Sequence, residues 1–183
     1  VNLKWQSACQ LQSRQVPEDV MGHLAATLLT GIGATAVMDL WGIARGPLLG
    51  APPPDHGLVG RWLAHMRHGQ LRHEAIGKAP AARAERLIGW TAHYLTGIAF
   101  AAILVAAKGT AWLDSPTLAP AVSVGIVTAL APFLIMQPAM GAGFAASRTP
   151  RPWHSRLQTL LTHAVFGVGL YAAGWTLGVL RAS

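Results

Sequence analysis

The chain has 183 residues, of which 52% are hydrophobic and only 11% are charged, and its formal net charge is +7. Soluble domains carry roughly 25% charged residues, so an ordinary soluble surface is excluded, and the apolar content excludes disorder. Cys9 is the only cysteine, which excludes a disulfide scaffold. What remains is a membrane protein or an unusually apolar single domain.

Four apolar stretches follow a polar N-terminal tail. Residues 1–19 show no clear hydrophobic periodicity. Met21, at the beginning of the first stretch, is a candidate for the natural start of the protein. Each stretch approaches or exceeds the roughly 20 residues that a spanning helix needs, and the third and fourth lack the polar face of a soluble bundle helix. The sequence predicts an all-α, four-transmembrane-helix bundle with spans at about 20–44, 87–107, 118–146 and 157–180.

The loop at 45–86 is basic and contains a predicted amphipathic helix. Asp55 is a plausible N-cap, and apolar residues then recur at helical spacing around Trp62. This pattern favours a helix lying in the membrane interface, while a lid packed over the bundle is the alternative. The side chains expected to contact the membrane surface and its anionic headgroups are Arg61, Trp62, Arg67 and Arg72. The loop histidines are interpreted as part of a solvated basic surface rather than as a metal site: His56, His65, His68 and His73.

Lysine and arginine placement predicts the orientation. Of the 14 basic residues, most lie in the loop at 45–86 or in the short loop before the fourth span. The positive-inside rule places both basic loops in the cytoplasm and both termini outside, as a multi-pass protein of a bacterial inner membrane. No nucleic-acid-binding motif accompanies the positive charge, so lipid is the expected partner and nucleic acid is not.

Each predicted span carries one conspicuous polar residue. These residues are Asp39, His93, Gln137 and His163. Counted at about 1.5 Å per residue from the basic ends, Asp39, His93 and His163 reach one layer in the inner half of the membrane, and Gln137 lies deeper. Ionisable groups at such depth usually face the bundle interior. The layer is either a proton, ion or substrate site or a set of hydrogen bonds that holds the helices together.

The third span is interrupted by Pro132 and Pro138. Each proline removes one helical hydrogen bond, and broken membrane helices are tolerated where they are buried or line a cavity. The break therefore indicates either a simple kink or a segment that lines a binding site.

A weak internal repeat relates the two halves of the chain. His93 and Gly97 are matched at the same spacing by His163 and Gly167, and Gly31 is matched by Gly125. The repeat predicts two helix hairpins related by a pseudo-twofold axis, with a histidine at the same depth in each.

Six segments carry a resemblance to a known family. They are GIGATAVMDLW (31–41), GRWLAH (60–65), GWTAHY (89–94), APFLIMQPAMG (131–141), AASRTP (145–150) and THAVFG (162–167). Together they resemble the bacterial membrane family called domain of unknown function 2938, over about residues 21–180. The resemblance implies a small protein of the bacterial inner membrane and implies no particular activity.

Three functions are compatible with these features. The first is a small transporter-like protein whose polar site is formed by the four intramembrane residues, and since four short spans enclose little volume, a transport path predicts a homodimer. The second is a metal- or haem-binding protein using His93 and His163, with Asp39 as a further metal candidate. The third is a non-catalytic accessory or scaffold protein. The sequence leans against an enzyme, because no nucleophile–base pair or catalytic motif is present, and it specifies no cofactor.

Overall fold

The computed structural model describes residues 3–51 and 53–182, with side chains described for residues 20–51 and 53–181. Within these residues all regular structure is helical. The α-helices in chain order are α1 (Leu3–Leu49), α2 (His56–Met66), α3 (Glu85–Lys108), α4 (Ala111–Asp114), α5 (Leu118–Thr128), α6 (Gln137–Ala139) and α7 (Pro152–Ala182). A π-helix at Pro132–Met136 and 3₁₀ turns at Ile76–Lys78 and Phe144–Ala146 complete the helical segments.

Four helical segments are long and apolar enough to cross a membrane, which confirms the predicted all-α bundle. They are Val20–Leu49, Glu85–Lys108, Leu118–Ala139 and Pro152–Arg181. The third ends before the predicted residue 146, because Gly141 and Gly143 take positive φ angles of 97° and 77° and turn the chain out of the helix.

The backbone of the predicted N-terminal tail continues α1 from Leu3 without a break. The side chains of residues 1–19, and the whole of residues 1 and 2, lie outside the described part of the chain.

The bundle contains two closely packed helix pairs. In the first, α1 crosses α3 so closely that a Cβ atom on Gly31 would lie 2.5 Å from the Ile98 Cα atom. In the second, α5 crosses α7, and a Cβ atom on Gly125 would lie 2.6 Å from the Gly167 Cα atom. Small residues allow such backbone contact between membrane helices.

The two pairs are joined along α1 and α7. A Cβ atom on Gly169 of α7 would lie 3.0 Å from the Ala34 Cα atom of α1. The shared core around this contact contains large, fully buried side chains from α3 and α7, among them Leu104, Phe166 and Leu170. Many leucines and isoleucines on the outer faces are exposed, as contact with lipid requires.

The basic loop after α2 meets the end of the broken third span at one end of the bundle. The backbone N–H of His73 donates to the Ala139 carbonyl at 2.8 Å, and that of Ile76 donates to the Met140 carbonyl at 3.1 Å. The loop after α2 therefore binds the end of the broken third span, and this end of the molecule holds the candidate site.

Candidate functional site

Asp39 and His93, two of the four polar residues predicted to meet, form a hydrogen-bonded pair between α1 and α3. His93 Nε2 lies 2.9 Å from Asp39 Oδ1, and the Tyr94 hydroxyl donates to Asp39 Oδ2 at 2.9 Å. Both carboxylate oxygens are therefore held from α3. The side chains of His93 and Asp39 remain 17% and 16% exposed, so a ligand can reach the pair.

His56, the first residue of α2, completes this group and was not among the predicted site residues. Its Nε2 atom lies 4.0 Å from Asp39 Oδ1, and its ring stacks on that of His93 with 4.2 Å between centroids. The Trp90 ring packs against it at 4.3 Å. Burial lowers the pKa of the His56 imidazole, and the His93 ring adds to that shift, so the neutral form is favoured.

These three side chains offer ligand atoms that converge on one point. One atom each from Asp39, His56 and His93 lies within 4.8 Å of the others. Two imidazoles and a carboxylate form a donor set that suits divalent transition metals. A search of the described residues for three or more His, Cys, Asp or Glu side chains close enough to share one metal ion finds this group.

Two glycines explain why α2 brings His56 to this point. A Cβ atom on Gly60 would lie 1.7 Å from the Glu85 carbonyl oxygen, and one on Gly89 would lie 1.8 Å from the His56 carbonyl oxygen. The backbones of α2 and α3 therefore touch at both positions. Asp55 begins α2 as predicted, since its side chain accepts from the Gly57 N–H at 2.9 Å.

Arg61, one of the residues predicted to contact the membrane surface, secures the same crossing of α2 and α3. Its guanidinium group forms a two-pronged ion pair with Glu85, at 2.8 and 2.9 Å, and donates to the Ala79 carbonyl at 3.0 Å. The hydrogen bonds that Arg61 donates to the Glu85 carboxylate raise the pKa of Arg61. With its side chain 14% exposed and its donors occupied, Arg61 braces α2 against α3.

A cavity of about 570 Å³ lies beside the group, between the spans and under α2. Asp39, His56, His93 and His163 all line it, together with mostly apolar side chains such as Phe100 and Phe166. The arrangement matches the alternative in which α2 is a lid over the bundle, because Trp62 and other α2 residues form part of the cavity wall.

His163 lines this cavity from α7 but is not part of the Asp39 group. It is 8% exposed, and its Nδ1 atom lies 2.9 Å from the Thr128 hydroxyl of α5. That hydroxyl also donates to the Gly125 carbonyl at 2.6 Å. His163 therefore forms an interhelical hydrogen bond within the second helix pair.

Gln137 lies away from the other three polar residues and does not line the cavity. Its Nε2 donates to the Thr159 hydroxyl at 3.4 Å, so it bridges the broken span to α7. The predicted break at Pro132 is a π-helical turn, and Pro138 lies in the one-turn helix α6 that follows. The cavity wall includes Pro132, Ile135 and Met136 from this segment.

The other residues predicted to contact the membrane surface, and the other loop histidines, lie outside the group formed by Asp39, His56 and His93. Arg67 and Arg72 are exposed, and the indole N–H of Trp62 donates to the Leu71 carbonyl at 3.0 Å. His65 pairs with His73, whose Nε2 lies 2.9 Å from His65 Nδ1. Burial, and then the adjacent His65, lower the pKa of His73.

Comparison with known families identifies the chain. No curated protein and no solved structure matches it. Residues 28–177 match the model of the family described as "Protein of unknown function (DUF2938)", and this range includes Asp39, His56 and His93. The chain therefore belongs to that family of proteins of unknown function, as the six sequence segments indicated.

Proposed function

We propose that this chain is a small transporter-like membrane protein that binds a cation at the Asp39–His93 pair. The observation that carries the proposal is a carboxylate–imidazole pair on the wall of a cavity between membrane spans. An ionisable carboxylate in a membrane span is energetically costly, and such residues usually mark an ion or substrate site. Either a proton or a cation can lie between His93 Nε2 and Asp39 Oδ1, so the two compete for the same place.

The broken third span supports transport over a purely structural layer. Irregular backbone in membranes is tolerated where it lines a cavity, and discontinuous helices build many transporter sites. Here Pro132 opens a π-helical turn, and that turn forms part of the cavity wall. His163 and Gln137, by contrast, have partners typical of hydrogen bonds that hold helices together.

The proposal keeps the expected topology in a bacterial inner membrane. Both basic loops face the cytoplasm and both termini lie outside, with exposed Arg67 and Arg72 near anionic headgroups. The proposal also keeps a homodimer as the assembly that completes a transport path, because four short spans enclose little volume.

Cation uptake into proteoliposomes tests this function. Wild-type protein, Asp39→Asn and the control His65→Asn are reconstituted, and K⁺, Na⁺, Mg²⁺, Mn²⁺, Co²⁺ and Zn²⁺ are offered in turn. Uptake is read by elemental analysis of filtered vesicles, with pyranine inside to report counter-flow of protons. We expect uptake of at least one cation by wild type and by His65→Asn, and none by Asp39→Asn. Absence of uptake for every cation, or uptake unchanged in Asp39→Asn, would overturn the proposal.

A further inference from the structure

We propose that Asp39, His56 and His93 form a binding site for one divalent transition-metal cation, held through Asp39 Oδ1 and the Nε2 atoms of the two histidines. The inference rests on the proposed function, because it names the class of cation that the site takes. It also assigns a ligand, His56, that belongs to the loop and not to any predicted span.

The distances fit a metal whose ligands are drawn in slightly. Zinc binds imidazole nitrogen at about 2.0–2.1 Å, so neighbouring ligands of a tetrahedral ion lie about 3.4 Å apart. Asp39 Oδ1 lies 2.9 Å from His93 Nε2 and 4.0 Å from His56 Nε2, values that bracket this spacing. Side-chain shifts of about half an ångström bring both oxygen–nitrogen distances to this spacing, and all three ligand atoms already lie within 4.8 Å of one another.

The donor set selects the class of metal. Calcium and magnesium prefer oxygen ligands, whereas imidazole suits zinc, cobalt, nickel, iron and copper. With a carboxylate as third ligand, the site resembles in chemistry those that keep a position open for water or substrate. That position is available here because all three side chains line the cavity.

Neighbouring groups orient the three ligands. The Tyr94 hydroxyl occupies Asp39 Oδ2, which leaves Oδ1 to face the two histidines. Trp90 packs against the His56 ring and fixes its plane. Such outer partners typically change metal affinity by about 10- to 100-fold when removed.

Two further features tie His56 to the site in the folded chain. The Gly60 and Gly89 contacts allow α2 no clearance from α3, and the Asp55 cap begins the helix directly before His56. Ligands from α1, α2 and α3 are therefore brought together by helix packing before any ion arrives, which reduces the entropic cost of binding.

Cobalt binding to the full chain tests the site. Protein purified in mild detergent without a polyhistidine tag is equilibrated with Co²⁺ by dialysis, and bound metal is measured by elemental analysis and by visible d–d absorption. We expect one Co²⁺ per chain in wild type. His56→Asn, His93→Asn and Asp39→Asn should each weaken binding by roughly 100-fold or more, and Tyr94→Phe by roughly 10-fold.

The matched controls are His65→Asn and His73→Asn, which remove the other close imidazole pair. We expect both to bind Co²⁺ as wild type does. No Co²⁺ binding in wild type, or binding that is lost in His65→Asn and kept in His56→Asn, overturns the metal site. Because Asp39→Asn removes a group from within the membrane and can impair folding, His56→Asn, at the loop end of α2, carries the test on its own.

The uptake experiment separates this inference from the proposed function. Co²⁺ bound at the site without uptake of any cation leaves the metal site standing and removes transport. Uptake of a cation by wild type with no Co²⁺ bound leaves transport standing and removes the metal site.

Discussion

The two helix pairs of this protein cross in the same way but use their histidines differently. Gly31 and Gly97 bring α1 onto α3, and Gly125 and Gly167 bring α5 onto α7, at positions matched by the internal repeat. His93 lies four residues before its glycine, and so does His163. The repeat thus places equivalent imidazoles at equivalent crossings.

The partner of each histidine makes the difference. His93 faces the Asp39 carboxylate, has His56 stacked on its ring and stays 17% exposed. His163 faces the neutral Thr128 hydroxyl and is 8% exposed. One crossing therefore holds a carboxylate and two imidazoles that converge on the cavity wall, and the other holds a histidine engaged in a hydrogen bond between helices. A shared helix geometry does not by itself specify a shared role.

A variant that moves α2 away from the α1–α3 pair should change cobalt binding and stability the most. In Gly89→Ala the new Cβ atom would lie 1.8 Å from the His56 carbonyl oxygen, so α2 must move and His56 must leave Asp39. We expect Co²⁺ binding to be lost and the free energy of unfolding to fall by about 1–3 kcal/mol, as for an overpacked core. Thermal unfolding and dialysis measure both. Gly77→Ala, which meets nothing within 4 Å, is the control. Wild-type cobalt affinity in Gly89→Ala would contradict the role given to this crossing.

A second variant breaks only the second pair. Thr128→Val removes the hydroxyl that contacts His163 Nδ1 and leaves a buried imidazole without this partner. We expect the free energy of unfolding to fall by about 1–3 kcal/mol while Co²⁺ binding stays unchanged. Denaturant unfolding in detergent and dialysis check the two readouts, with Thr110→Val, at an exposed position, as the control. A loss of cobalt binding here would show that the two halves are not independent.

A third, smaller effect is the pH dependence of stability that comes from His73, in the loop after α2. The pKa of buried His73 is lowered, so the folded state favours its neutral form. Above the unfolded pKa of about 6.5 both states are neutral and this contribution to stability is complete. As pH falls below that value the unfolded chain takes up the proton first, so stability declines. Melting temperatures at about pH 7.5 and pH 5.5 should therefore differ, and the difference should shrink in His73→Gln. An equal difference in His73→Gln would assign the pH dependence to other groups.

The smallest effect is expected at an exposed ion pair of the second half. Arg181 Nη1 lies 3.7 Å from Asp114 Oδ1, and the two side chains are 37% and 64% exposed. Surface pairs of this kind contribute about 0–1 kcal/mol, so Arg181→Gln should change the free energy of unfolding by less than about 0.5 kcal/mol. Thermal melts at low and high salt suffice to measure it. A larger, salt-sensitive loss would mean that this pair braces α7 as Arg61 and Glu85 brace α2.

Much of the candidate site could be predicted because polar residues stand out in apolar spans. Asp39 and His93 were grouped with His163 and Gln137 by depth, and His93 Nε2 lies 2.9 Å from Asp39 Oδ1. Depth is only the coordinate along the helix axis, however. It grouped Gln137 and His163 with them, although rotation about the axis directs those side chains to Thr159 and Thr128.

His56 could not be chosen from four loop histidines by composition. Its contacts are 17 residues before it and 37 residues after it, and they exist because α2 crosses α3 at Gly60 and Gly89. The available signals were the Asp55 cap, which marks His56 as the first residue of a helix, and the small residues at one end of both helices. The ion pair of Arg61 with Glu85 was not predicted for the same reason, since the two residues are 24 positions apart.

Three features could be read from the amino-acid sequence alone: the number of spans, the start of α2 at its aspartate cap and the break in the third span. These features depend on hydropathy and on hydrogen bonds within one or two helical turns, so neighbouring residues are enough to specify them. The packing of the folded chain was needed to show which polar residues meet and which histidines join Asp39. Those contacts depend on helix rotation and crossing, which are set by close packing between residues far apart in the chain.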